Sequence, residues 1–148
     1  VCCSDLYGNQ IPLLTEEEMQ NLSIKRGTLN NEERGFMEKH VEYTFMFVRK
    51  IPWPEEYKHI PEIAYKHHEK LDGSGYPNNL QGRDQIPLEA RIMAVADIYD
   101  ALSARDRPYK KSVPIERILS ILSEEAKEFK LDPEIVHLFL SHELYKEV

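Results

Sequence analysis

The motif HHEKLDGSGYP, residues 67–77, places two imidazoles and two carboxylates beside a glycine-rich turn. Neutral imidazole together with ionised carboxylate suits borderline divalent ions such as iron, manganese and zinc, and the lack of thiolates argues against a structural zinc site. Glycine is needed wherever the backbone takes a positive φ or passes close to a ligand. The motif therefore predicts half of a metal site. The alternative is an exposed helix end with two solvated histidines.

A further candidate for this site lies on the helix that we predict after Pro87. Most sides of this helix are apolar, and small residues surround Asp97. The main apolar stripe comprises Leu88, Ile92, Val95, Ala96, Tyr99, Leu102 and Ser103. A buried carboxylate loses on the order of several kcal/mol of solvation unless it is paired or binds a cation, so Asp97 is a ligand candidate. The alternative is an Asp97 that accepts backbone N–H groups or pairs with Arg91.

Four segments together resemble the signature of the HD-GYP family, the bacterial metal-dependent phosphodiesterases of the HD superfamily. They are the 67–77 motif, IPLEARI at 86–92, VADIYDAL at 95–102 and RPYK at 107–110. The resemblance implies an all-helical domain that binds two or three iron or manganese ions and hydrolyses cyclic di-GMP. Iron or manganese is therefore the expected cofactor, with other divalent ions left open. A cyclic dinucleotide or related phosphoester is the expected substrate.

The resemblance also implies a role for individual residues. The family's histidine pair corresponds to His67 and His68, its late aspartate to Asp97, and a histidine further upstream to His40. The motif aspartate corresponds to Asp72. The resulting site prediction has metal ligands His40, His67, His68 and Asp97, catalytic residues Asp72 and Glu69, and substrate contacts Tyr76, Arg91, Arg107 and Lys110.

The helix that carries His40 is predicted to run from residue 31 to about residue 51, with Asn30 and Glu33 as a capping box at its start. Its shared face comprises Phe36, Met37, His40, Val41, Thr44, Phe47, Val48 and Ile51. A histidine on an apolar stripe is also typical of a hydrogen-bonded core residue. The residues alone leave both interpretations of His40 open.

Two features depart from the family pattern. Residues 1–30 contain no histidine, so the His-Asp dyad that names the superfamily is missing there. Asn78 and Gln81 stand where the family usually carries basic residues. These departures predict a fragment or a divergent member of the phosphodiesterase family, with activity expected of the parent protein and left open for this chain. The alternative is a catalytically degenerate module that binds a nucleotide or a protein partner in signalling without hydrolysis.

Length and charge limit the classes of function. With 148 residues, of which 41% are hydrophobic, the chain can bury one modest core. A net charge of −7 argues against a nucleic-acid duplex as partner. Adjacent Cys2 and Cys3 cannot form the disulfide framework of a secreted domain, which favours a reducing cytoplasm. No apolar run is long enough to cross a membrane.

The predicted fold is all-α, an HD-domain-like helical bundle of about five to seven helices. We expect an atypical N-terminal segment at 1–30, the signature region at 31–111 and packing helices at 112–148. The last helix should begin with Asp132 as N-cap and Pro133 in its first turn. A homodimer and a fused regulatory domain are open as partners. The histidines outside the site, His59, His137 and His142, are expected at the surface.

Overall fold

The computed structural model describes residues 2–4, 10–12, 14–23, 30–103 and 113–146. They belong to two compact units, Val1–Lys39 and His40–Val148. The predicted segment boundaries at residues 30 and 111 stay predictions. No helix in the described part of the chain is long and apolar enough to cross a membrane.

The first unit contains a short antiparallel hairpin and two helices. Its elements are β1 (Cys2–Ser4), β2 (Gln10–Pro12), α1 (Glu16–Leu22) and α2 (Asn31–Glu38). Thr15 and Glu18 exchange hydrogen bonds at the start of α1. Asn30 and Glu33 form the predicted capping box at the start of α2, which confirms that prediction. The hairpin was not predicted, and it is the exception to the helical fold.

The second unit is built from helices and the loops that join them. Its α-helices are α3 (His40–Val48), α4 (Ile60–Lys66), α5 (Leu88–Ser103), α6 (Ile115–Lys127) and α7 (Pro133–Ser141), with short 3₁₀ turns at Glu55–Tyr57 and Leu144–Lys146. The prediction of an all-α fold is confirmed. Over both units the described residues form seven α-helices, which is the upper end of the predicted number.

The core lies between α5, α6 and α7. Val95 and Tyr99 pack there against Ile118, Leu122 and Val136. The predicted start of α7 is confirmed, because Asp132 is its N-cap and accepts the N–H of Glu134, and Pro133 follows in the first turn. A second, smaller cluster of Leu71, Ile86 and Ala90 lies beneath the loop that joins α4 to α5.

Two predictions about helices were wrong. The single helix expected over 31–51 is divided at Lys39. The residues of its shared face do not have one environment, since Phe36, Met37 and Phe47 are exposed whereas Val41 is fully buried. On α5 the predicted stripe is also only partly right, since Leu88 and Ile92 are exposed whereas Ala90 and Ala94 are buried. Periodicity identifies apolar faces, but it does not tell which face another element covers.

Candidate metal centre

Three histidines from two helices meet at one point of the second unit. His40 is the first residue of α3, His67 caps the C-terminus of α4, and His68 follows it. One ring nitrogen of each histidine lies within 4.8 Å of those of the other two. The Nε2 atoms of His40 and His68 face each other at 3.2 Å. The structure therefore brings together three of the four predicted metal ligands.

The buried His67 has its tautomer set by the helix that precedes it. Its Nδ1 lies 2.8 Å from the carbonyl oxygen of Ala64, which can only accept, so Nδ1 carries the proton and donates. The Nε2 lone pair is then free for a cation, as in metal sites where a backbone carbonyl orients the ligating imidazole. Sequence analysis did not identify Ala64. The signal was available, because the last carbonyls of a helix lack intrahelical donors.

His68 is held in its neutral form. Burial is the main cause, and together with His67 and His40 it lowers the pKa of His68 to about 4, against an opposing effect of Asp97. A neutral imidazole keeps a lone pair that a divalent ion can accept. The ring of His68 also lies close to the ring of His67, with centroids 3.9 Å apart.

Asp97 lies beside the cluster of three histidines and outside it. Its Oδ2 is 3.9 Å from Nδ1 of His68, on the side of the ring away from Nε2. The side chain is 45% exposed, so the argument that burial forces Asp97 to find a cation does not hold. Its alternative partner, Arg91, is also not at hand, because that guanidinium binds Asp132. The prediction that Asp97 ligates metal stays a prediction.

Tyr76, a predicted substrate contact, forms one wall of the site. Its ring stacks on His68 with centroids 4.8 Å apart and planes 28° apart, and it meets His40 edge-on at 6.4 Å. Its N–H donates to the carbonyl oxygen of His68 at 3.3 Å. The aromatic ring is therefore fixed against two of the three candidate ligands.

The segment from Glu69 to Leu80, which we call the 69–80 loop, folds back on itself to hold Tyr76 there. The buried carboxylate of Glu69 accepts the N–H of Asn78 at 2.6 Å and the N–H of Leu80 at 2.9 Å. Gly75 passes so close to the start of the loop that a Cβ atom would lie 2.3 Å from the nitrogen of Lys70. Only glycine fits at this position.

Both predicted catalytic carboxylates accept hydrogen bonds from residues of the 69–80 loop. Asp72 accepts the N–H and the hydroxyl of Ser74 at 2.9 and 2.7 Å. Burial acts to raise its pKa, but the hydrogen bonds from Ser74 and the nearby Lys70 hold the pKa of Asp72 below its ordinary value. Glu69 binds the loop backbone. Catalytic roles for Asp72 and Glu69 stay predictions, and the contacts indicate loop anchors.

Arg91, a predicted substrate contact, makes contacts within the bundle, and its substrate role stays a prediction. It forms an ion pair with Asp132 and donates from Nε to the carbonyl oxygen of Ile86 at 3.1 Å. Arg83 binds the other oxygen of Asp132 at 2.8 Å. The remaining predicted contacts, Arg107 and Lys110, lie outside the described residues. The histidines predicted to lie at the surface, His59, His137 and His142, are exposed, which confirms that prediction.

The donor set fits a divalent ion. Three imidazole nitrogens converge, and one of them has its proton fixed on the far side of the ring. Imidazole binds iron, zinc, copper and nickel readily, whereas magnesium and calcium prefer a shell of oxygens. The cluster therefore suits a borderline transition metal.

Comparisons with known proteins agree on one family. The HD domain family matches residues 10–135. The 3'3'-cGAMP-specific phosphodiesterase 2 of Vibrio cholerae is 42% identical over 119 residues, which is 80% of this chain and 22% of that protein. A cyclic di-GMP phosphodiesterase of Thermotoga maritima is 40% identical over 126 residues, which is 84% of this chain and 32% of that protein. The chain thus spans less than a third of the length of either relative.

Proposed function

This chain belongs to the HD domain family, and from that premise we propose that it carries part of the metal centre of a phosphodiesterase acting on a cyclic dinucleotide. The membership confirms the resemblance to the HD-GYP proteins. Two relatives act, by their names, on 3'3'-cGAMP and on cyclic di-GMP. The observation that carries the proposal is the convergence of His40, His67 and His68 beside the ring of Tyr76.

In this proposal the three histidines hold a divalent ion through ring nitrogens, and iron or manganese is the metal that we expect. A bound ion of this kind stabilises negative charge on a phosphoryl oxygen and lowers the pKa of water. Ala64 keeps the proton of His67 on Nδ1, and burial keeps His68 neutral. Both features leave the imidazoles ready to donate a lone pair.

Asp97 has a supporting role at its present position. It stands behind His68, where a carboxylate can accept a proton from Nδ1 and orient the ring, although 3.9 Å is long for a hydrogen bond. Losing such a supporting carboxylate typically weakens metal binding about 10- to 100-fold, whereas losing a ligand abolishes it. The variant Asp97→Asn therefore separates the supporting role from the predicted role as ligand.

We propose that the ring of Tyr76 contacts the substrate. A tyrosine ring offers a face on which a nucleobase stacks, at about 1–3 kcal/mol per base. Asn78 and Gln81, which replace basic residues of the family, supply no positive charge for the phosphates. Arg107 and Lys110 stay the predicted phosphate contacts. We therefore expect recognition to depend more on base stacking here than on charge.

The proposal includes a cytoplasmic location, because a reducing compartment keeps Cys2 and Cys3 as thiols. A fused regulatory domain and a homodimer stay predictions.

Metal content is the test of this function. The purified chain is loaded anaerobically with iron or manganese, desalted exhaustively and measured by elemental mass spectrometry. We expect near-stoichiometric retention, its loss in His67→Ala and His68→Ala, and full retention in His59→Ala, which removes an exposed histidine outside the cluster. Equal retention in all four proteins would reject the site. A loaded chain that binds cyclic di-GMP or 3'3'-cGAMP without cleaving it would favour the non-hydrolytic alternative.

A further inference from the structure

A cleft of about 430 Å³ lies away from the histidine cluster, between the end of α3 and the start of α4. Its volume falls within the range of roughly 300–1,000 Å³ that is typical of small-molecule sites. From His40 to the last residue of α3 the helix rises by about 12 Å, at 1.5 Å per residue. The cleft is therefore separate from the candidate metal centre.

One wall of the cleft is a fixed aromatic ring. Trp53 lines the cleft and is partly buried, and its indole N–H donates to the carbonyl oxygen of Val48 at 2.9 Å. This hydrogen bond ties the ring to the end of α3. A rigid, partly exposed indole loses little conformational entropy when a planar ligand stacks on it.

The second feature of the cleft is a positive charge that is not paired with a carboxylate. The guanidinium of Arg49 lies 5.6 Å from the centre of the Phe45 ring, and no carboxylate of the described residues pairs with it. The acidic residue of the cleft, Glu62, is already paired with Lys66 at 2.6 Å. His59 is exposed at the same rim. In a chain with net charge −7, a cation left unmatched in a cleft is available to an anion.

We propose that this cleft binds a nucleoside monophosphate, with the base against Trp53 and the phosphate on Arg49. The choice of a nucleotide rests on the proposed function, since hydrolysis of both phosphodiester bonds of a cyclic dinucleotide by two water molecules gives two nucleoside monophosphates. A ring beside a cation is also the combination that recognises a single nucleotide without sequence preference. The cleft is thus a second nucleotide site for the product of the reaction proposed at the histidines.

The test uses the fluorescence of Trp53, which is the chain's one tryptophan. The metal-free chain is titrated with GMP and AMP, with correction for ligand absorption, and in parallel with guanosine and with inorganic phosphate. We expect a saturable change with both nucleotides and much weaker binding of guanosine or phosphate alone. No saturable change with the nucleotides would overturn the proposal. Phosphate binding as tight as GMP would also overturn it, because the site would then be an anion site only.

Variants locate the binding and separate it from the metal centre. Arg49→Gln should weaken the binding of GMP about tenfold or more, since it removes a hydrogen bond to a charged group. Arg117→Gln, an exposed arginine on α6, should leave the affinity unchanged. His68→Ala should also bind GMP normally while it loses metal, so a failed metal centre and a failed cleft give different results. Unchanged affinity in both Arg49→Gln and Trp53→Leu, measured by calorimetry on folded protein, would reject the site.

Discussion

The histidine layer and the C-terminal bundle are built by different means. The histidine layer comprises α3, α4 and the 69–80 loop, and its helix α3 buries Val41 while Tyr43 and Phe47 are 60% and 70% exposed. The bundle comprises α5, α6 and α7, which enclose a continuous apolar core. In the histidine layer only a small apolar cluster forms around Leu71, and a buried carboxylate, a close-packed glycine and stacked rings add to its order. We infer that packing stabilises the scaffold, whereas local polar contacts shape the site.

The largest effect should follow from breaking the buried ion pair between α5 and the start of α7, within the bundle. Asp132→Ala leaves Arg91 without its carboxylate, and 84% of that arginine side chain is out of solvent. Breaking a buried pair from one side typically costs about 3–5 kcal/mol. Urea denaturation should show this loss, whereas Glu134→Gln, at the exposed partner of Arg83, should cost less than about 1 kcal/mol. Equal losses would mean that burial of the pair is unimportant.

Leu122→Ala tests the bundle alone. Leu122 is fully buried in the core, and truncating a buried leucine costs about 2–5 kcal/mol. Leu138→Ala on α7 is the matched control, because that leucine is 52% exposed. The comparison predicts that folded Leu122→Ala keeps its metal stoichiometry, since no histidine lies in the bundle core. Loss of metal at a temperature where the variant is folded would show that the site depends on the bundle.

Glu69→Gln tests the histidine layer alone. The amide replaces one accepting oxygen with a donor that faces a backbone N–H, which should cost about 1–3 kcal/mol. We expect the 69–80 loop to loosen and Tyr76 to leave His68. The NMR resonances of the His68 ring should then lose the ring-current shift that Tyr76 imposes, as we also expect for Tyr76→Leu. Glu62→Gln, which changes an exposed carboxylate on α4 that pairs with Lys66, is the control.

A fall in stability without any change in the His68 resonances would contradict this account of Glu69. The carboxylate would then stabilise the loop without positioning the ring.

The smallest effect concerns the turn around Asp72. The lowered pKa of Asp72 means that its hydrogen bonds stabilise the fold fully above its ordinary pKa of 3.8, and that this contribution is lost as the pH falls through the lower, folded value. Ser74→Ala should raise the pKa of Asp72 and cost less than about 1 kcal/mol at neutral pH. An NMR titration of the Asp72 carboxyl carbon measures this pKa. An unchanged value would show that Ser74 does not set it.

Local signals predicted a good part of this structure from sequence. The capping box at Asn30 and the N-cap at Asp132 follow from residue types at short spacings. The meeting of His40 with the pair at residues 67–68 was implied only by the resemblance to the HD-GYP family. The pairing of Arg91 with Asp132 could not be predicted, because 41 residues separate them and either could have found another partner. The anchoring role of Glu69 was missed for a related reason. The groups that donate to its carboxylate are backbone N–H groups, which carry no residue-specific signal.

The end of α4 has a consequence for how such a site can arise or be lost. Neighbouring residues in an α-helix point about 100° apart, so an uninterrupted helix would turn His68 away from His67. The helix ends at Lys66, and the two rings come within 3.9 Å of each other. The length of α4 therefore determines whether His67 and His68 can face the same ion. A substitution that prolongs α4 by a single turn would dismantle the centre while every histidine remained in the sequence.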